Sequence, residues 1–103
     1  MRLIWSDEAI ESVDKTADYI EDNFGTARCL KFYEEVEAKA DSLVQHEKLG
    51  RPDPDLKGGK FEYRSVTINK LSKLIYRIDG ENIRILYLWN TRRNPMTLKE
   101  MFP

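Results

Sequence analysis

A chain of 103 residues is long enough for one hydrophobic core and too short for two, so we expect a single domain over residues 1–103. Hydrophobic residues make up 41% of the sequence and charged residues 34%, as in ordinary folded proteins, and no apolar run approaches the roughly 20 residues that span a bilayer. One cysteine and one histidine exclude an internal disulfide and a structural zinc site, so we expect a cytoplasmic protein without a metal, a cofactor or a membrane partner.

The net charge of -1 conceals a difference between the two halves of the chain. Residues 1–50 hold 6 Lys and Arg against 12 Asp and Glu, and residues 51–103 hold 11 against 6. A basic second half indicates a charged face with an anionic partner, such as a nucleic acid or an acidic protein segment. The alternative is that the two halves touch and neutralise each other.

Two helices are predicted after a short opening strand, Arg2–Trp5. Ser6 has the side chain of an N-terminal helix cap, and apolar residues then recur at helical spacing in two stripes. We expect Gly25 to end the first helix in the left-handed conformation and Thr26 to cap the second helix, which makes an antiparallel helical hairpin. The stripes are Ile10, Val13, Ala17, Ile20 and Phe24 in the first helix, and Cys29, Phe32 with Tyr33, Val36, Ala40 and Leu43 in the second.

Strands follow a loop over residues 49–59 that is rich in glycine and proline. The residue pattern predicts three strands, at 61–68, 71–79 and 82–89, and a short tail or helix fragment at 96–103. The order β-α-α-β-β-β predicts an α+β fold, with the helical hairpin packed on one face of a twisted antiparallel sheet and the other face open. The predicted strands carry four cations, and we expect some of them to point to that open face. They are Arg64, Lys73, Arg77 and Arg84.

Positive and aromatic side chains of the second half form the candidate binding site. The last strand runs into Arg92 and Arg93, followed by an Asn-Pro pair that is expected to stop regular structure. Guanidinium groups held at the exit of a buried strand are suited to binding anions. The alternative is that strand cations are exposed residues that discourage edge pairing. The predicted binding residues are Arg51, Arg64, Arg77, Trp89, Arg92 and Arg93.

The sequence contains no persuasive Ser-His-Asp triad, no glycine-rich phosphate-binding loop and no cluster of metal ligands. We interpret His46 as a solvated residue at a helix end and Cys29 as a small buried hydrophobe. If the chain cleaves RNA without a metal, the cations that would hold phosphates are Arg64, Lys73, Arg92 and Arg93. A nuclease also usually needs a proton donor or acceptor near the scissile bond, and residues 91–103 contain neither His nor Tyr. The catalytic residues are therefore unassigned.

Seven short motifs are spread along nearly the whole length of the chain. They are Trp5-Ser6 with Ala9, Tyr19-Ile20, Ala27-Arg28, Leu49-Gly50-Arg51, Tyr63-Arg64-Ser65-Val66, Lys73-Leu74-Ile75-Tyr76-Arg77-Ile78 and Trp89-Asn90-Thr91-Arg92-Arg93-Asn94-Pro95. Their order and spacing resemble the RelE/ParE superfamily of toxins from bacterial type II toxin–antitoxin modules, which includes plasmid stabilisation proteins. The resemblance implies a small α+β toxin in a hetero-oligomer with a cognate antitoxin, which wraps the toxin with a helix and an extended, acidic and apolar tail.

Two targets are implied by this resemblance. RelE-like members cut mRNA in the ribosomal A site, and ParE-like members inhibit DNA gyrase. By position, Lys73 matches the central-strand cation of the RNA-cutting branch and Arg92 or Arg93 its strand-exit arginine, whereas the C-terminal Tyr or His of that branch has no counterpart here. The long helical hairpin and the Gly50-Arg51 pair look more like the ParE branch. The leading hypothesis is a ParE-like toxin that inhibits growth through DNA gyrase, and the alternatives are a RelE-like ribosome-dependent mRNA endoribonuclease and an inactive relative that acts as a partner-binding module.

Overall fold

The computed structural model describes residues 1–102, which form five strands, three α-helices and a 3₁₀ turn. Residue 103 of the predicted tail lies outside the described residues. In chain order the elements are β1 (Arg2–Trp5), α1 (Asp7–Phe24), α2 (Thr26–Gln45), β2 (Arg51–Pro52), the 3₁₀ turn (Pro54–Leu56), β3 (Arg64–Asn69), β4 (Ser72–Asp79), β5 (Asn82–Asn90) and α3 (Pro95–Met101).

All five strands form one sheet in the order β1-β5-β4-β3-β2. The predicted α+β class is confirmed, with the helical hairpin packed on one face of the sheet. Strands β2 to β5 are antiparallel neighbours, but β1 runs parallel to β5, with Leu3 opposite Ile83, so the sheet is mixed and the fully antiparallel prediction was wrong in this strand. Because no tight turn links β1 to β5, nothing imposes antiparallel pairing on them.

A single residue, Gly25, connects the two helices. The Ser6 prediction is confirmed, since its Oγ accepts a hydrogen bond from the Ala9 amide at 3.0 Å. Gly25 has a positive φ of 92° as expected for glycine, but its ψ of 170° is extended, so the left-handed helical cap was wrong. Gly25 is also the N-cap of α2, and Thr26 is already inside that helix without a capping bond, because the connection leaves no room for a separate cap.

The main core lies between the helical hairpin and the sheet. Helix α1 faces β5 with small residues, Ala9, Ser12 and Ala17, which allow a close approach of helix and strand. The predicted stripe is therefore displaced at both ends, where Ile10 is 48% and Phe24 62% exposed. The buried residues of this core include Val13, Cys29, Phe32, Val36, Ala40, Leu43, Val66, Leu74, Tyr76, Ile83, Ile85 and Leu88.

The second face of the sheet was predicted to be open, and this prediction was wrong. The 3₁₀ turn and α3 cover it with a smaller core, whose buried members are Leu56, Tyr63, Ile75, Trp89 and Leu98. The loop over 49–59 contains β2 and the 3₁₀ turn, and β3 begins only at Arg64, because residues 61–63 belong to this cover. No helix of the described chain is long and apolar enough to cross a membrane.

The Asn-Pro pair starts a helix, contrary to the prediction that it stops regular structure. Asn94 is the N-cap of α3, and its Oδ1 accepts a hydrogen bond from the Met96 amide at 3.0 Å. Pro95 takes the first helical position, where its missing N–H costs nothing. The pair thereby turns the chain from the end of β5 back over the second face.

Candidate functional site

Lys73 lies on the second face of the sheet, opposite Trp89 of β5, and two carboxylates hold it. Its Nζ lies 2.7 Å from Oδ2 of Asp53 and 3.1 Å from Oδ2 of Asp55, and its side chain is 15% exposed. The Asp53 side chain is fully buried, whereas that of Asp55 is 34% exposed. The cation that was predicted to hold a phosphate is therefore neutralised within the fold.

The two carboxylates belong to a short segment, residues 52–56, which we call the acidic strap. Two prolines fix its backbone, and the Asp53 amide donates to the Tyr63 carbonyl at 2.8 Å. Asp53 also caps the 3₁₀ turn, since its Oδ1 accepts from the Asp55 amide at 2.9 Å. Burial raises the pKa of Asp53, but hydrogen bonds and the positive charge of Lys73 outweigh this effect and lower the pKa below its usual value.

Arg64 holds the loop at the end of α2. Its Nη1 donates to the Gly50 carbonyl at 2.9 Å, and its Nη2 lies 2.8 Å from Oε1 of Glu62. The side chain is only 12% exposed. Arg64 was predicted to contact a partner or a phosphate; in the structure its guanidinium contacts the Gly50 carbonyl and Glu62.

Arg77 and Arg84 share one carboxylate at the far end of β4. Nε of Arg84 lies 2.7 Å from Oδ2 of Asp79, and Nη1 of Arg77 lies 3.9 Å from the same atom. The Arg84 hydrogen bond is the main cause of the lowered pKa of Asp79. Arg77 also stacks on Phe61, with 4.1 Å between its Cζ and the ring centroid. Arg77 lies four positions beyond Lys73 on β4, roughly 13 Å away at about 3.3 Å per residue.

The exit of β5 presents two exposed arginines on a rigid base. The guanidinium of Arg93 lies 4.4 Å from the ring centroid of Trp89 and within 3.5 Å of the Tyr87 hydroxyl. Trp89 itself is buried, so its contribution is to support Arg93. The Arg92 amide donates to Oδ1 of Asn90 at 2.9 Å, which fixes the backbone while the guanidinium stays in solvent.

A cleft of about 330 Å³ lies beside this exit, next to the acidic strap. Arg51, Lys70 and Lys73 supply its positive charges, and Thr67 and Thr91 add hydroxyl groups to its lining. In and beside the cleft, the side chains of Arg51, Lys70, Arg92 and Arg93 are exposed, and they take part in no ion pair within residues 1–102. These are groups that an external anion can reach directly.

The structure thus divides the predicted site into two parts. Arg51 and Trp89 line the cleft, and Arg92 and Arg93 follow at the strand exit, whereas Arg64 and Arg77 are engaged in internal contacts elsewhere. Sequence reasoning missed the strap carboxylates, although two aspartates alternating with two prolines are a sign of acidic groups held in fixed positions. Within the described residues no three His, Cys, Asp or Glu side chains gather in a way that could hold a metal ion.

Comparisons with known proteins agree with this architecture. Residues 3–95 match the family model for the ParE toxin of type II toxin-antitoxin system, parDE. The chain is similar in structure to the chromosomal ParDE system from P. aeruginosa, with a TM-score of 0.72 and 24% identity over 87% of this chain and 95% of that one.

Two other solved structures share the fold. The YoeB/ParE toxin from Agrobacterium tumefaciens has a TM-score of 0.62 and 18% identity, over 87% of this chain and 98% of that one. The YoeB dimer from Staphylococcus aureus has a TM-score of 0.56 and 21% identity, over 84% and 92%. A comparison with curated protein sequences finds no match. Because the family model matches nearly the whole chain, the protein belongs to the ParE toxin family of type II toxin–antitoxin systems.

Proposed function

We propose that this ParE-family toxin arrests growth in the cytoplasm by binding DNA gyrase, and that a cognate antitoxin neutralises it. Gyrase is the target that the ParE resemblance implies. The observation that carries the choice between targets is the neutralised Lys73, because a nuclease of the RelE type would need that ammonium free for the RNA backbone.

The other predicted nuclease residues support the same choice. Arg64 is tied to the Gly50 carbonyl and Glu62, so a phosphate would have to displace both contacts. The strand exit carries Arg92 and Arg93, but residues 94–103 contain no His or Tyr that could transfer a proton. Of the set proposed for RNA cleavage, Arg64 and Lys73 are engaged inside the protein, whereas Arg92 and Arg93 are exposed and take part in no ion pair within the described part of the chain.

The free pair, Arg92 and Arg93, is the part of the surface that we assign to target binding. Arginines are enriched among the residues that dominate protein interfaces, and the stacking of Arg93 on Trp89 reduces the side-chain entropy that binding would otherwise cost. The gyrase surface in contact would carry carboxylates, since planar guanidinium groups pair with them in a bidentate way.

An antitoxin partner is supported by the structural relatives. The ParDE system from P. aeruginosa and the heterotetrameric YoeB-YefM complex from Staphylococcus aureus are toxin–antitoxin assemblies. We infer that the present chain forms a hetero-oligomer of the same kind, with its partner encoded in a neighbouring reading frame, and that such a module can serve in plasmid stabilisation.

A supercoiling assay with purified gyrase and relaxed plasmid tests the proposed target. The wild-type chain is expected to inhibit supercoiling, and Arg92→Ala/Arg93→Ala to inhibit about tenfold or more weakly, as for the loss of interface arginines. Lys48→Ala/Lys57→Ala is the matched control, because it removes two exposed charges elsewhere and should inhibit as the wild type does.

Induced expression of the chain in bacteria, alongside the supercoiling assay, separates the alternative functions. Arrested translation with cut mRNA, in the absence of gyrase inhibition, would identify the endoribonuclease alternative. Unchanged growth with folded protein would identify an inactive, partner-binding relative. Equal inhibition by the Arg92/Arg93 variant and the wild type would refute the role of the strand exit while leaving the gyrase target in place.

A further inference from the structure

The cleft beside the strand exit has the composition of a phosphate site. Arg51, Lys70 and Lys73 contribute three positive charges to its lining, and Thr67 contributes a hydroxyl group. The Thr91 hydroxyl also lines the cleft but donates to the Lys70 carbonyl at 3.1 Å. Proteins hold nucleic-acid phosphates with this combination of cations and hydroxyl donors. A volume of about 330 Å³ leaves room for a phosphodiester unit between them.

The chain places its own carboxylates against this lining. Asp55 lines the cleft and approaches Lys73 from that side, whereas Asp53 lies behind it and is sealed from solvent. When Asp53 and Asp55 are counted together with the three cations of the lining, the net charge of the group is +1. Each carboxylate supplies Lys73 with the anionic oxygen partner that a phosphate would supply, at 2.7 and 3.1 Å.

The acidic strap is built to hold this position. Pro52 pairs with β3 opposite Arg64, and Pro54 opens the 3₁₀ turn, so the residues on both sides of Asp53 have restricted backbones. Leu56 anchors the end of the strap in the smaller core. A fixed internal carboxylate competes with an external anion at a high effective concentration, because its ordering entropy is already lost in folding.

We propose that Asp53 and Asp55 are specificity-determining residues that hold Lys73 of the cationic cleft in place of an RNA phosphodiester, and so prevent the chain from binding RNA there. The inference rests on the proposed function, since it explains how a scaffold with Lys73 at the central strand avoids nucleic acid and acts on a protein target. Removing the two charges converts the cleft into an RNA-binding site.

Fluorescence anisotropy with a labelled single-stranded oligoribonucleotide measures this conversion. Asp53→Asn/Asp55→Asn keeps the shape of both side chains and removes both charges. We expect this variant to bind RNA about tenfold or more tightly than the wild type at low salt, with a steeper decrease of affinity as salt is added. Adding Lys73→Met to the variant is expected to return the affinity to the wild-type level.

Two comparisons make the result specific to the cleft. Glu37→Gln/Asp41→Asn removes two exposed charges from α2 and alters the net charge equally, so a gain of the same size in that variant would overturn the proposal. A gain that persists after Lys73→Met would overturn it as well. Circular dichroism reports folding. If the double variant does not fold, Asp55→Asn alone decides the question, because its side chain is one-third exposed: a several-fold gain supports the proposal and no gain refutes it.

Failure of this inference and failure of the proposed function are separable. The gyrase assay uses the wild-type chain and reports the target, whereas the anisotropy assay compares strap variants and reports what the cleft excludes. A wild-type chain that leaves gyrase active, together with strap variants that gain RNA affinity, would retain the cleft assignment and remove the gyrase target.

Discussion

Near Gly50, the chain that follows α2 comes within hydrogen-bonding distance of strand β4 of the sheet. The Gly50 amide donates to the Tyr76 hydroxyl at 3.0 Å, and that hydroxyl donates to the Glu47 carbonyl at 2.7 Å. Burial is the main cause of the raised pKa of Tyr76, so the hydroxyl keeps the proton that it donates. A Cβ on Gly50 would lie 2.5 Å from the Ser65 carbonyl oxygen and 2.7 Å from the Tyr76 ring. The Gly50-Arg51 motif therefore has a structural cause in its first residue.

Gly50→Ala is predicted to destabilise the domain. The new methyl group would clash with the Ser65 backbone and the Tyr76 ring, and neither of these is the flexible end of a side chain that could move aside easily. Overpacking of this kind costs about 1–3 kcal/mol. Urea denaturation followed by circular dichroism measures the change in the free energy of unfolding. Lys48→Ala, two residues away and exposed, should stay within about 0.5 kcal/mol of the wild type. An equal stability of the two variants would contradict the close packing at Gly50.

At the scale of secondary-structure elements, strand β5 contains a β-bulge that positions the residues of the candidate site. Ile75 pairs with Tyr87 and Tyr76 with Ile85, so Leu86 is the additional residue of a β-bulge. The bulge places Ile85 and Leu88 in the main core and Tyr87 and Trp89 in or against the smaller core. Helix α1 binds the bulge through two serines, since Ser6 Oγ donates to the Leu86 carbonyl and Ser12 Oγ accepts from the Leu88 amide.

Ser12→Ala is predicted to weaken the attachment of α1 to this bulge. The Ser12 hydroxyl is buried, accepts from the Leu88 amide at 2.9 Å and donates to the Ala9 carbonyl at 2.8 Å. Its removal leaves the Leu88 N–H buried without a partner, at a cost of about 1–3 kcal/mol. Ser42→Ala is the matched control on α2, where the hydroxyl bonds only to the exposed Ala38 carbonyl, so little change is expected. Thermal unfolding compares the two, and protection of the Leu88 amide from hydrogen exchange should fall in Ser12→Ala alone.

The elements with strong periodicity could be predicted, and those defined by tertiary contacts could not. Stripes of apolar residues located α1 and α2, and alternation located β4 and β5 to within a residue of their ends. Helix α3 was predicted only as an alternative to an irregular tail, because an Asn-Pro pair is compatible both with a stop and with an N-cap followed by a first helical residue. What decides between them is the burial of Leu98 on the second face, a contact that no local pattern contains.

The candidate site was predicted as a class of residues but not as an arrangement. The sequence indicated which cations could bind anions, and Arg92 and Arg93 are exposed at the strand exit as expected. It did not indicate that Lys73 meets Asp53 and Asp55, since these partners lie 20 and 18 positions away, respectively, in a segment read as an irregular loop. Ion pairing between a strand and a loop depends on how the loop folds back, and the proline-fixed strap determines this only in three dimensions.

At the scale of the whole molecule, the difference in charge between the halves is not removed by contact between them. Every ion pair within residues 1–102 joins two residues of the same half. The basic half neutralises part of its own charge through Asp53, Asp55, Glu62 and Asp79, and the acidic helices keep theirs on the opposite side of the sheet. The charges of the two halves are therefore not paired with each other, and the stability of the basic half depends on carboxylates that must stay ionised.

This dependence predicts a loss of stability in acid that originates at the strap. The pKa of Asp53 is lower in the folded chain than its value of about 3.9 in an unfolded one, so the unfolded state binds more protons between the two values. The stabilisation is therefore complete above about pH 4 to 5 and is lost as the pH falls through the folded pKa. Asp53→Asn is expected to cost about 1–3 kcal/mol at pH 7, because Lys73 then keeps only the partly exposed Asp55.

The acid limb of the stability curve separates this effect from general protonation. Urea midpoints measured from pH 7 to pH 3 should fall less steeply in Asp53→Asn than in the wild type, since the variant has no carboxyl group to protonate at this position. Asp79 is the matched comparison, because its pKa is lowered too but its side chain is 43% exposed and solvent screens its ion pairs. Asp79→Asn should therefore keep most of the wild-type slope. An unchanged slope in Asp53→Asn would show that the buried carboxylate does not contribute to acid sensitivity, and that the strap is held by its prolines and apolar anchor instead.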